Sequence, residues 1–382
     1  MTERWKIQRE LGRIGLQIYD KISYPFQRIV QHRYDRDFPK ITKLTNGAQK
    51  SSDHVAIFFV YQPKGFDKSV AVTCDFLKSK GYSIILVSSG PIGAEDLVHL
   101  SEKCWKILER PNYGYDFGGY RDGLRVMYEA KIAPETLIII NDSIWFPLDP
   151  MTTIIERLDE ARDAFNGTVY VDKPGRSNKS QHFQSFLFHL TREAIESRAF
   201  VSYWKNYKVN SAKRVVLLQG EKGFSQAMFN GGFNSDLRAT DLVIFDRLTA
   251  MPNSFLRSTL NYAAYDDVNL AVDARNLLHT FQDTPEWRKD VLAHMKIALS
   301  RTHPLGIFIY ATMLLMDFSF LKKRSFAQVF DGMRWQYLRA VKNGDLPAPH
   351  PDILSEIMTS KMDGRLTTDP SIPIPVAVTK MP

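Results

Sequence analysis

Two short stretches of this 382-residue chain carry side chains whose types and spacing could do chemistry. One is Glu109 to Gly123, which reads ERPNYGYDFGGYRDG, and the other is Asn141 to Pro147, which reads NDSIWFP. Asp142 follows the most hydrophobic strand pattern in the sequence, TLIII from Thr136 to Ile140. A carboxylate buried there without a partner would sooner take up a proton, so Asp142 needs a cation, a cluster of donors or exposure. The plainer alternative is that it caps the next turn. In the first stretch, Gly114, Gly118 and Gly119 allow the backbone to approach a ligand closely. Taken alone, the loop also reads as a tight turn opening a helix, with Tyr113, Tyr115 and Phe117 as ordinary packing. Its spacing is not GxGxxG, and no GxxxxGK[ST] occurs, which counts against dinucleotide and P-loop sites.

The elements that must position these loops alternate. VAIFFV (Val55 to Val60) is a continuous apolar run, as in a strand buried on both faces. A helix from Asp67 to Lys80 follows, then the strand YSIILV (Tyr82 to Val87), a helix near Ala94 to Lys103, and the short strand Lys106 to Glu109. Gly118 to Ala130 reads as a helix before the strand Thr136 to Ile140. Such alternation predicts an α/β fold with a mostly parallel sheet. In open α/β sheets, ligands bind beyond the carboxyl ends of the strands, which is where both loops fall. Beyond Pro150 a helix is expected over Met151 to Ala164, strands at Thr168 to Val171, Phe183 to Phe188 and Leu242 to Phe245, and helices at Phe224 to Asn230, Pro285 to Leu299 and Phe326 to Val341. The last 37 residues hold seven of the 19 prolines and read as a loosely ordered tail. The division expected is a basic N-terminal segment at 1–50, a main domain at 51–345 (halves 51–150 and 151–345), and a proline-rich tail at 346–382.

Composition narrows the function classes. The net charge of +8 is mild, and aromatic residues are not interleaved with Lys or Arg as in stacking platforms, so no nucleic-acid partner is expected. More than half of the excess lies near the start: residues 1–45 hold ten Lys or Arg against five acids, +5 of the +8. There Ile7, Leu11, Ile14, Ile18 and Ile22 form a helical stripe, which fits docking on the protein body or peripheral contact with an anionic membrane surface. Cys74 and Cys104 form neither a zinc motif nor a disulfide framework. The start lacks a signal-peptide core, and the longest uncharged apolar stretch, Pro304 to Met316, is too short for a bilayer. A cytoplasmic protein, with peripheral contact at the inner face of the plasma membrane as an option, is the expectation.

Arg110, Asn112, Gly114, Asp116, Gly118 and Gly119, followed by Asn141-Asp142-Ser143, resemble the rhamnan-synthesis protein F family of polysaccharide-building glycosyltransferases. The resemblance continues in His182 to Phe186, in Gly220-Glu221, and in Thr302-His303 ahead of Phe318 to Lys322. It implies a GT-A-like fold of Rossmann type, with helical C-terminal additions, and sugar transfer from a nucleotide-diphosphate donor resembling dTDP-rhamnose. The acceptor would be a glycan or lipid-linked glycan of a cell-surface polysaccharide such as O-antigen, and the transfer would invert the anomeric centre.

The same resemblance implies the roles of single residues. GT-A folds hold a divalent metal, Mg²⁺ or Mn²⁺, at an Asp-x-Asp turn; here the turn is Asn-Asp-Ser, so only Asp142 supplies charge, with His303 as the second candidate ligand. Glu221 is the candidate base and Asp116 its reserve. Ser88, Ser89, Arg110, Asn112, Gly114, Asp116, Asn141, Asp142 and Ser143 are candidates to contact the donor. His182, Gln184 and Ser185 are candidates for the acceptor or the sugar. The competing reading is a non-catalytic domain that binds nucleotide or glycan, favoured by the missing second aspartate.

Overall fold

In this computed structural model the described residues are 28–161, 163–171, 181–233, 240–265, 267–301, 307–323 and 329–360, with short strand pieces at 366–367 and 376–377. The amphipathic stripe from Ile7 to Ile22, and His303 with Thr302, lie outside them. A helix over residues 28–41 (α1) leads into β1 (Lys43–Asn46) and β2 (His54–Val60). Then come α2 (Lys68–Ser79), β3 (Ser83–Ser89), α3 (Ala94–Ser101), β4 (Lys106–Arg110), α4 (Tyr115–Glu129) and β5 (Thr136–Asn141). The strands β2, β3, β4 and β5 pair in parallel.

The second half adds β6 (Ile144–Trp145), α5 (Ile154–Asp159), β7 (Phe165–Gly167), β8 (Tyr170–Val171), β9 (His182–Phe183) and β10 (Leu187–Thr191). The main sheet has seven strands in the order β1-β4-β3-β2-β5-β10-β7, and β1, β10 and β7 join it antiparallel. It is therefore mainly parallel, as expected, with antiparallel edges. Because β3 and β4 lie on one side of β2 and β5 on the other, the order reverses between β2 and β5. A crevice opens at that switch point in such sheets.

Alternation along the strands explains the layering. Val55, Ile57 and Phe59 of β2, with Leu137 and Ile139 of β5, face one apolar cluster that includes Phe117, Tyr120 and Met127 of α4. Ala56, Phe58 and Val60, with Ile138 and Ile140, face the opposite cluster, which α2 enters with Val70, Cys74 and Leu77. Each large side chain buried this way contributes roughly 1.5–3 kcal/mol.

After β10 the described chain is helical: α6 (Arg192–Glu196), α7 (Arg198–Asn206), then α8 (Lys213–Val215), which runs through a π-helical segment (Val216–Lys222) into α9 (Gly223–Asn230). Further helices are α10 (Asp241–Thr249), α11 (Asn253–Asn261), α12 (Val268–His279), α13 (Pro285–Arg301) and α14 (Ile309–Met316). A short strand, β11 (Leu321–Lys322), pairs with β6, and α15 (Val329–Lys342) and α16 (Pro351–Thr359) follow.

Four expectations change. Leu242 to Phe245 is helical rather than a strand: Thr240 caps α10 by accepting from Val243 N at 3.2 Å, and Ile244 and Leu248 are buried one turn apart. Phe183 to Phe188 is broken by a turn, so β9 and β10 are separate strands. The helix expected over Met151 to Ala164 covers only Ile154–Asp159. Within the presumed loose tail, Pro351–Thr359 forms a helix that buries Ile353 and Ile357.

Candidate active site

Both sequence loops open on one cleft of about 660 Å³ at the switch point, lined among others by Phe59, Tyr61, Asn112, Asp116, Asn141, Asp142, Ser143, Ser185 and Glu221. The Asn-Asp-Ser turn is fixed from below. Asn141 donates from Nδ2 to the Tyr120 hydroxyl at 2.7 Å and accepts from Ser143 N at 3.1 Å, closing an Asx turn. Asp142 N donates to Phe59 O at 3.0 Å, and Asp142 Oδ2 accepts from Tyr61 N at 3.1 Å. Burial pushes the Asp142 carboxyl up, against the pull of Lys323 and the bonds from Tyr61 and Gln62.

The glycine loop supplies the opposite wall. Gly114 caps α4 with φ +82°, and a Cβ there would lie 2.2 Å from Val209 Cγ1. That turn puts Asp116 at the start of α4. Asp116 Oδ1 accepts from Phe117 N at 3.0 Å, and Oδ2 accepts from Ser185 Oγ at 3.1 Å. Burial, reinforced by the charge of Glu221, pushes the Asp116 carboxyl up to about 6.

Glu221 arrives from the π-helical segment, a local widening that often marks functional positions. Gly220 lets this segment press on α4, since a Cβ there would meet the Phe117 ring at 2.7 Å. Glu221 Oε2 accepts from Ser185 N at 2.9 Å, and Oε1 lies 3.2 Å from His182 Nε2. Burial alone would raise this carboxyl; the bond and charge from His182, with the bonds from Ser185, outweigh it and hold Glu221 below its usual range. Ser185 thus joins two carboxylates with opposite shifts, the pattern that separates acid–base roles.

Other expected residues lie elsewhere. Arg110 is fully enclosed: Nε contacts Asp122 Oδ2 at 2.5 Å and the Tyr34 hydroxyl at 3.1 Å, Nη1 donates to Ser89 Oγ at 2.8 Å, and Nη2 donates to Tyr113 O. Its charge is spent within the protein, and it does not line the cleft. Ser88 donates to Gly90 O at 2.9 Å, and neither Ser88 nor Ser89 is a lining residue. His182 reaches the site through Glu221, whereas Gln184 binds Val169 O through its backbone N–H and stays outside the lining.

Sequence reasoning missed Lys213 and Arg214, which line the cleft beside Val216 and Leu217. Arg214 keeps one buried guanidinium nitrogen without a hydrogen-bond partner. A dibasic pair shortly before Gly220-Glu221 was the available signal.

Oxygen donors suit Mg²⁺ or Mn²⁺, which often take one or two protein carboxylates and complete their shell with phosphate and water. The Asp142 carboxylate on the cleft fits that minimal role. Among the described residues no group of three acidic, imidazole or thiol side chains could hold a metal by itself. Nor is any helix among them long and apolar enough to cross a membrane.

Comparison with known proteins adds a match to a family model. The model for rhamnan synthesis protein F matches residues 84–260, which include both loops, Ser185 and Glu221. An uncharacterized protein, y4gN, of Sinorhizobium fredii is 35% identical over 217 residues, covering 57% of this chain and 56% of that protein. The matched region thus spans little more than half of that relative's length. The virulence protein VirA of Vibrio anguillarum is 23% identical over 245 residues, covering 61% of this chain and 74% of VirA. Among solved structures, the mannosyltransferase PcManGT from Pyrobaculum calidifontis, in complex with GDP-Man and Mn²⁺, aligns over 91% of this chain and 95% of its own. Its identity is 10% and its TM-score 0.29.

Proposed function

We propose, from the match of residues 84–260 to the rhamnan synthesis protein F family, that this chain is a glycosyltransferase acting in polysaccharide assembly. The observation that carries the reading is the cleft that Asp142, Asp116 and Glu221 line together at the sheet's switch point. The donor is a nucleoside-diphosphate sugar, with a rhamnose-like deoxyhexose as the first candidate, and the acceptor is a glycan hydroxyl.

The chemistry asks for three things. The anomeric C–O bond breaks with its electron pair leaving on the diphosphate, the acceptor oxygen bonds to the anomeric carbon from the opposite face, and the acceptor proton goes to a base. Single displacement gives inversion. Asp116 and Glu221 both reach the cleft, and Asp116 is the better base: its raised carboxyl lies nearer the working pH, where general bases are most effective. Glu221 stays ionised, raises Asp116 through its charge and orients Ser185 between them. Lys213 and Arg214 offer positive charge to the leaving diphosphate. A divalent cation on Asp142 would supply further charge neutralisation there.

Thermal shift with a panel of nucleotide sugars, with and without Mn²⁺, tests the reading, because a ligand at 100-fold its dissociation constant adds about 2.7 kcal/mol of stability. At least one donor should raise the melting temperature and be slowly hydrolysed without acceptor. Binding without any hydrolysis or transfer would favour the non-catalytic reading, and no binding across the panel would contradict both.

A further inference from the structure

Where β11 pairs with β6, Lys322 lies opposite Ile144, and two consecutive lysines reach the back of the Asn-Asp-Ser turn. Lys323 is compensated: its ammonium lies 3.2 Å from Asp67 and 3.6 Å from Glu356, and donates to Ser69 Oγ at 2.7 Å. Lys322 is not. Its ammonium sits 4.2 Å from the centre of the Phe186 ring and donates to Ser143 Oγ at 3.4 Å; among the described residues it forms no ion pair. Burial pulls this ammonium down to about 8, with Glu221 and Asp116 opposing the shift. Enclosed charges are normally paired; here the direct contacts are a ring and one neutral hydroxyl, while the carboxylates of Glu221 and Asp116 act on the ammonium without forming an ion pair with it. What the ammonium lacks among the described residues is an anion in direct contact.

Ser143 indicates where that anion would sit. A hydroxyl has one proton and two lone pairs. Once Ser143 Oγ accepts from Lys322, its own O–H is free to turn toward the cleft that Ser143 lines. We propose that Lys322 and Ser143 form an anion-binding pair at the cleft floor that takes a phosphate oxygen. Ser143 donates to that oxygen, and Lys322 polarises Ser143 and supplies charge from behind. The third residue of the turn thereby serves as a phosphate donor group where a second aspartate would have been a metal ligand. Applied to the sugar donor, this rests on the function proposed above and names which of the chain's own groups hold its diphosphate. Lys322 is in this sense a positioning residue. The charged groups that face it are Asp116 from α4 and Glu221 from the π-helical segment, while Asp142 sits within the turn and Lys323 follows Lys322.

Inorganic pyrophosphate in the presence of EDTA is the probe, titrated calorimetrically into the full chain. The wild type should bind it, and Lys322→Gln should weaken binding about tenfold or more, as for loss of a charge-assisted contact. Lys322→Arg should retain most of the affinity. Ser143→Ala should weaken binding, and adding it to Lys322→Gln should cause little further loss. Wild-type affinity should fall from pH 7 to pH 9 as the ammonium deprotonates, a trend absent from Lys322→Gln. Thermal unfolding checks that the variants fold, and Ser143→Ala carries the test if Lys322→Gln does not. Pyrophosphate that fails to bind the wild type, or binds Lys322→Gln equally well, overturns the pair. Lys322-dependent pyrophosphate binding without recognition of any nucleotide sugar keeps the pair and defeats the donor reading.

Discussion

The two carboxylates that share Ser185 should respond in opposite senses when neutralised. Asp116 titrates higher in the folded protein, at about 6, than in the unfolded chain, so the folded state holds its proton more tightly. Its ionised form therefore opposes folding above that pH, and the opposition fades as pH falls from about 6 toward 4. Asp116→Asn should raise unfolding stability at pH 7.5 by about 1 kcal/mol while lowering transfer by about 10²-fold or more. Glu221 is held below its usual range by His182 and Ser185, so its contribution is present at neutral pH and lost on acidification. Glu221→Gln should destabilise at pH 7.5 and impair transfer. Denaturant titrations and initial rates on both variants check the pair; destabilisation by both would refute the assigned shifts. Of these residues the sequence exposed Asp142 by its place after a buried strand, while Asp116 in the glycine loop and Glu221 after Gly220 came from the family resemblance. The fate of Arg110 was hidden, since Asp122 and Tyr34, its partners, meet it only in the fold.

At the scale of elements, the long apolar strands were legible because burial on both faces writes an unbroken hydrophobic run. Leu242 to Phe245 misled for a related reason: a four-residue apolar run does not distinguish a strand from a buried helical turn. The π-helical segment left no composition signal, yet it delivers Glu221 to Asp116, and Gly220 is what permits the approach. A Cβ at Gly220 would lie 2.7 Å from the Phe117 ring, itself fully buried. Gly220→Ala should therefore move the segment off α4, cost about 1–3 kcal/mol from overpacking, and lower turnover more than donor affinity. Wild-type kinetics in that variant would show that the close approach is dispensable.

Over the whole molecule, the C-terminal helices brace the site from behind. Glu356 of α16 accepts from Ser69 N at 2.7 Å and from Trp145 Nε1 at 2.9 Å, and pairs with Lys323, tying α2, β6 and β11 together. Glu356→Ala leaves those donors unmet and should cost about 1–3 kcal/mol, measured by urea unfolding; no loss would show the brace to be incidental. This bracing was illegible in a segment that reads as a proline-rich tail, because the donors Ser69 and Trp145 lie more than two hundred residues away in sequence. The central claim is that the Asn-Asp-Ser turn and the glycine loop build one donor site. The most direct measurement is the affinity of the best-binding nucleotide sugar for Asp142→Asn and Asn112→Ala, one residue from each loop. The account predicts that each variant weakens binding of the same ligand, by about tenfold or more for Asp142→Asn; wild-type affinity in either one would contradict it.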